Sequence, residues 1–125
     1  MDNVSDKDIV KDNNLKHDQM LLIEKYDRIF NYLYPILQSV PRKHGVLRNM
    51  ALECLLRFPE KAYEAAKSNQ ISKIFIADAN LASLRFYLRT LKSTKSMTPH
   101  QETTALSLLA EVGKMMGSWI HKKQG

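Results

Sequence analysis

The sequence predicts an all-α protein, an antiparallel up-down-up-down four-helix bundle, and three observations lead there. Four stretches carry apolar residues spaced three and four apart, the period of one helical face. No stretch alternates apolar and polar residues as a half-buried strand does. The breaks between the stretches are short, which makes successive helices antiparallel neighbours. Four Gly and four Pro in 125 residues are too few for a β-sandwich with many turns, and the length suffices for one domain with a real core.

Residues 1–17 read as a polar, acidic, flexible tail without periodicity, and residues 18–125 as the bundle. Helix one is expected from about 18 to 38, with Leu22, Tyr26, Ile29, Phe30, Leu33 and Leu37 on one side and Glu24, Asp27, Arg28, Asn31 and Gln38 on the other. Pro35 falls on the polar side, where a bend curves the helix around the core. The stretch Ser39-Val40-Pro41-Arg42-Lys43-His44-Gly45 then breaks the pattern.

Helix two is expected from about 46 to 67. Leu47, Ala51, Cys54, Leu55, Phe58 and Ala62 form its seam, while Leu52, Leu56 and Tyr63 widen the apolar arc. Pro59 lies inside this pattern and should kink or interrupt the helix, since a Pro in a regular interior costs about 3 kcal/mol. Ser68-Asn69-Gln70 makes a short connection with capping residues.

Helix three runs to about 92 and has two apolar faces. Ile74, Ala77, Leu81, Leu84, Leu88 and Leu91 form a bundle seam with spacing 3,4,3,4,3. Phe75, Ala79, Ala82 and Phe86 form a second stripe on the opposite side, and a strip with Arg85, Arg89, Lys92 and Asp78 separates the two on one flank. A monomer buries one such face, so the second stripe predicts contact with another copy or another partner.

Thr98-Pro99-His100-Gln101 is a helix start, with Thr98 as cap, Pro99 at the first helical position and Gln101 completing a capping box. Helix four follows to about 122, with Ala105, Leu108, Val112, Met115 and Trp119 as its seam and Leu109, Met116 and Ile120 beside it. Gly113 and Gly117 each cost about 1 kcal/mol relative to Ala inside a helix, which predicts close approach of another backbone.

The net charge is +6, unevenly spread. Residues 1–20 hold five Asp and three Lys, net −2; the remainder carries +8. A body that basic suits polyanions, above all nucleic acid; charge kept for solubility is the competing reading. In the predicted topology the first and third connections share one end, which gathers Arg42, Lys43, Arg48, Lys92 and Lys95 there for backbone-type contacts to RNA or DNA. Arg85 and Arg89 are ambiguous between that role, pairing with Asp78 and pairing with acids of a neighbouring copy.

Catalytic and cofactor chemistry find little support. His17, His44, His100 and His121 do not pair with Cys, Asp or Glu at metal-ligand spacing, no Gly-rich phosphate loop occurs, and no cofactor or metal is expected. Cys54, the single cysteine, lies on a buried seam and reads as a core residue; one cysteine excludes an internal disulfide. No apolar run approaches the roughly 20 residues of a membrane span, and the acidic start is not a signal peptide, so a cytoplasmic location is expected. Trp119 reads as core. Tyr87 is open between partner contact and packing on a neighbouring helix.

Several runs together resemble a known family: Glu24-Lys25-Tyr26-Asp27-Arg28, Tyr32-Leu33-Tyr34-Pro35-Ile36, Pro41-Arg42-Lys43-His44-Gly45, Lys67-Ser68-Asn69-Gln70, Ala77-Asp78-Ala79, Leu84-Arg85-Phe86 with Leu88-Arg89, Met97-Thr98-Pro99-His100-Gln101, and Ala110-Glu111-Val112-Gly113 through Gly117-Ser118-Trp119-Ile120. Over about residues 18–122 the chain resembles the accessory variability determinant (Avd) proteins of diversity-generating retroelements. Their superfamily includes the four-helix bundles encoded in intervening sequences of bacterial 23S rRNA genes. Pro59 and the short segment between Leu91 and Met97 depart from the family pattern.

The resemblance implies a non-catalytic accessory protein that assembles as a homopentameric ring. It implies binding to the element's reverse transcriptase and template RNA, with the cDNA as a further ligand, in support of mutagenic cDNA synthesis (mutagenic retrohoming). Under it Arg42, Lys43, Arg48, Arg85, Arg89, Lys92 and Lys95 are the candidates for nucleic-acid or reverse-transcriptase contact, and Phe75, Ala79, Ala82 and Phe86 for the contact between copies. The alternative is a stand-alone basic bundle of the rRNA intervening-sequence type, without a polymerase partner.

Overall fold

In the computed structural model, residues 6–125 are described, with side chains from His17 onward. Four helices form: α1 (Asp6–Gln38), α2 (Gly45–Ser68), α3 (Ile71–Ser93) and α4 (Pro99–Gln124), with a single 3-10 turn (Arg42–His44) before α2. No strand occurs among the described residues. α1 packs on α2 and α4, α2 on α3, and α3 on α4, while among the described residues the diagonal pairs do not meet. Connections this short force consecutive helices to reverse direction, so the four close a square bundle.

The core follows the periodicity. Ile74, Ala77, Leu81, Leu84, Leu88 and Leu91 of α3 are fully buried, as are Ile29, Leu33 and Leu37 of α1 and Leu55 and Phe58 of α2. Among the described residues no charged side chain is buried with them. α4 is turned slightly from expectation: Leu109 and Met116 are buried with Ala105, Val112 and Trp119, while Leu108 and Met115 are only half-buried. Positions 108–109 and 115–116 are both apolar, so periodicity alone does not choose between neighbours 100° apart. The capping box of α4 forms as expected: Gln101 N–H donates to Thr98 Oγ1 at 3.0 Å, and Thr98 N–H donates to Gln101 Oε1 at 3.0 Å.

Three local expectations change. α1 begins at Asp6, not near 18; the segment before Pro35 contains neither Gly nor Pro to stop a helix. The remainder of the expected tail, residues 1–5, lies outside the described residues.

Pro59 neither breaks nor ends α2, which runs unbroken from Gly45 to Ser68. A Pro at position 59 has no N–H for the carbonyl of Leu55, four residues earlier. The Tyr26 hydroxyl, reaching over from α1, donates to that carbonyl instead. The Tyr26 ring lies against Phe58, centroids 4.6 Å apart. The orphaned acceptor thus becomes a contact between two helices.

No second backbone of this chain approaches either glycine of α4. The Arg85 guanidinium lies 2.7 Å from where a Gly113 Cβ would stand, so this glycine makes room for an arginine side chain from α3. Around Gly117 nothing lies within 4 Å of that position, and the residue faces open space.

Candidate nucleic-acid interface

The basic end of the bundle is built by three breaks in the helical pattern. Pro41 enters with an extended ψ of 149°, and the 3-10 turn Arg42–His44 closes with His44 N–H donating to Pro41 O at 2.9 Å. Arg42 and Lys43 are exposed on this turn. Arg48, in the first turns of α2, is half-buried; its Nε donates to Asn49 Oδ1 at 3.3 Å.

At the same end, α3 stops in a Schellman arrangement. Ser96 N–H donates to Leu91 O at 2.8 Å, and Lys95 N–H donates to Lys92 O at 3.0 Å. Lys95 therefore occupies the left-handed position that glycine favours, with φ of 62°. Thr94 Oγ1 donates to Leu91 O at 3.0 Å, and Met97 is buried beneath the turn. The loop is thereby held short, and Lys92 and Lys95 stay exposed on its rim.

The seven sequence-selected cations separate into groups. Arg42 and Lys43 line one groove with Val46 and Met50. Lys92 and Lys95 line another with Met97 and Pro99. Both grooves lie at the end shared by the first and third connections. Arg89 is exposed farther along α3. Arg85 is half-buried, its guanidinium laid across α4 at Gly113. The expected Asp78–Arg85 pair is not formed; among the described residues none of the seven cations is in an ion pair. Unpaired exposed cations keep their full charge available to a polyanion.

Periodicity missed two features of this surface. Val46 is 81% exposed beside Arg42 and Lys43, with Met50 one turn on. The groove between α1 and α2 is also apolar, lined by Met20, Ile23, Ala62, Tyr63, Ala66 and Trp119. Its signal was present in the wide apolar arc of α2, where Leu56 and Tyr63 remain exposed.

The second stripe of α3 lies outside: Phe75 and Phe86 are 47% and 60% exposed, and Ala79 and Ala82 are exposed between them. Trp119 is buried, and Tyr87 is half-buried against the core, edge-on to Phe86. Cys54 is a closed site. Its thiol donates to Asn80 O at 3.1 Å, while Asn80 Nδ2 donates to Cys54 O at 2.9 Å. Burial pushes the thiol up to about 11, only partly offset by the Arg57 charge, so it stays protonated and unreactive at neutral pH. Among the described residues no three His, Cys, Asp or Glu gather as metal ligands, and no helix is long and apolar enough to cross a membrane.

A family model described as bAvd-like matches residues 20–123, which takes in all of α2 and α3 and nearly all of the packed parts of α1 and α4. The chain belongs to the bAvd-like family. Membership agrees with the sequence resemblance to Avd proteins of diversity-generating retroelements and points to an accessory role in such an element. No curated protein matches the chain. As a bAvd-like protein it presents Arg42, Lys43, Lys92 and Lys95 at one end of the bundle and an exposed apolar stripe on the outer side of α3.

Proposed function

We propose that this protein is the non-catalytic accessory subunit of a diversity-generating retroelement, acting in the cytoplasm. In this reading it assembles with copies of itself, in a pentameric ring as its family relationship implies. It holds the element's reverse transcriptase and template RNA on a basic surface during mutagenic cDNA synthesis. The observation that carries the reading is the bAvd-like match across the four helices. The exposed, unpaired Arg42, Lys43, Lys92 and Lys95 support a polyanion partner. Arg42 and Lys43 line one of the two basic grooves and Lys92 and Lys95 the other, which suits contacts to phosphates, with the His44 ring beside the first pair.

The test is cDNA synthesis from the cognate template RNA by the neighbouring reverse transcriptase, with and without this protein. Synthesis that depends on it establishes the accessory role. Equal synthesis in both reactions, with the oligomer correctly assembled, moves the protein to the stand-alone bundle class. Reversing charge with Arg42→Glu and Lys43→Glu should weaken RNA binding and flatten its salt dependence while leaving the oligomer intact. Unchanged affinity at physiological salt removes that pair from the interface.

A further inference from the structure

Gly113 stands in the middle of α4, where glycine weakens a helix and alanine would strengthen it. No left-handed backbone asks for it, since no glycine among the described residues has a positive φ. What it provides is room. A Cβ here would stand 2.7 Å from Arg85 Nη2 and 4.0 Å from Arg85 Cζ, so only the head of that side chain needs the glycine. The aliphatic stem would cover the α3–α4 seam equally well over an alanine.

The head seated on this glycine is not engaged inside the protein. Among the described residues no ion pair holds the Arg85 guanidinium. The residue is half-buried, yet none of its nitrogens is both sealed from solvent and without a partner, so its unused donors face water. A free arginine head loses rotamers when it binds; one already laid across a helix has fewer left to lose.

The surroundings decide what it suits. Arg89 and Lys92 follow on α3 within about 60° of Arg85 at 100° per residue, both exposed and unpaired. Lys114 is exposed next to Gly113. Lys92 lines a groove with Lys95, so the run reaches the basic end of the bundle. α3 and α4 together carry seven Lys and Arg against Asp78, Glu102 and Glu111. Glu111 pairs with Lys25 of α1, and Asp78, on the same strip two turns before Arg85, bounds the run at its far end. A lone carboxylate is matched by one such cation; a file of them matches a repeating anion, the phosphate backbone of single-stranded RNA.

We infer that Gly113 is a positioning residue: it seats the Arg85 guanidinium across α4 as a preset phosphate contact, which carries the RNA path from the bundle end along the α3–α4 seam. This rests on the RNA-binding reading above and deepens it with a residue that has no charge of its own.

The test is binding of a mixed-sequence single-stranded RNA oligomer to the full-length protein, read by fluorescence anisotropy across a salt series, with helicity by circular dichroism. Gly113→Ala should keep its helicity and gain thermal stability, yet lose RNA affinity by about fivefold. Gly117→Ala is the matched control, one turn on in the same helix with nothing within 4 Å of its Cβ position. It should gain stability and leave RNA affinity unchanged. Arg85→Gln should lose affinity by about tenfold and lower the salt slope by about one. Adding Gly113→Ala to Arg85→Gln should cost nothing further. Arg85→Lys keeps the charge without the planar fork, and its loss of affinity reads the same contact should Gly113→Ala lose helicity.

Unchanged affinity in Gly113→Ala, beside a salt-sensitive wild type, would overturn the inference and leave the RNA reading standing. An equal loss in Gly117→Ala, or a full further loss on top of Arg85→Gln, would overturn it as well. A Gly113→Ala chain that keeps RNA but loses the reverse transcriptase would overturn it by giving the guanidinium to a protein carboxylate. A wild type without salt-dependent RNA binding would overturn both the inference and the reading beneath it.

Discussion

α2 has two flanks, and they are built differently. Toward α3 it presents Cys54, with Ala51 and Ala65 within about 60° of it around the helix at 100° per residue. Small side chains let two backbones approach, and the reciprocal Cys54–Asn80 pair ties them. Toward α1 it presents the Phe58 ring, the Leu55 carbonyl freed by Pro59, and the open wall of Leu56 and Tyr63. Large rings hold that pair of helices apart, and the groove lies alongside. A helix with one close flank and one wide flank can complete a monomer on the first and remain available on the second.

The largest expected effect falls on the wide flank. Phe58→Ala removes a fully buried ring packed at a tilt against Tyr26, and should cost about 4 kcal/mol in urea unfolding. A loss under 1 kcal/mol, on the order of a surface change, would mean that the α1–α2 pair does not depend on its rings.

The next tests how Pro59 is tolerated. Tyr26→Phe leaves the Leu55 carbonyl without its inter-helix donor, an expected cost of about 2 kcal/mol. Pro59→Ala restores a backbone N–H to that carbonyl, so the same Tyr26→Phe change made in a Pro59→Ala chain should cost under about 1 kcal/mol. Equal costs in the two backgrounds would show that the hydroxyl is not standing in for the missing N–H.

A titratable group marks each flank: Cys54 faces α3, and Tyr26 faces α2 from α1. Burial raises both, Cys54 from 9.0 to about 11, with Tyr26 raised for the same cause. The unfolded chain then loses these protons first and the native state holds more of them, so stability is full below pH 9 and falls as pH rises toward 11. Cys54→Ala should flatten the fall between pH 9 and 11, an effect of about 1–2 kcal/mol across that window; chemical unfolding at stepped pH reads it. An unchanged slope would mean that the thiol titrates as freely as in the unfolded chain.

The smallest effect lies away from both flanks and serves as a control. Lys95→Gly relieves a left-handed residue and should stabilise the fold by about 0.5–1 kcal/mol. It also deletes an exposed cation from the basic end, so RNA affinity should fall while stability rises. Parallel changes in both would mean that Lys95 contributes only through the loop.

Much of the fold was legible in the chain itself. The inner stripe of α3 and the capping box of α4 depend on spacing within a turn or two, and local periodicity reports such features directly. Three features were not legible. The accommodation of Pro59 joins residues 29 positions apart, Tyr26 and Leu55. Choosing Leu109 over Leu108 as the buried member needs the rotation of α4 against its neighbours. The fate of Arg85 depends on a space left by Gly113, across a helix boundary.

The candidate surface divides in the same way. Sequence determined which residues carry charge, that one end of an antiparallel bundle collects two basic connections, and that α3 has an apolar face its own bundle cannot cover. It also determined the bAvd-like family, whose pattern spans residues 20–123. Tertiary structure alone decided which cations stay free and which lie across a neighbouring helix. It alone showed that the wide arc of α2 opens into a groove with α1. The physical reason is range: helical periodicity and capping are set within four residues of the chain, whereas a groove or a borrowed hydrogen-bond donor exists only where two distant segments are brought side by side.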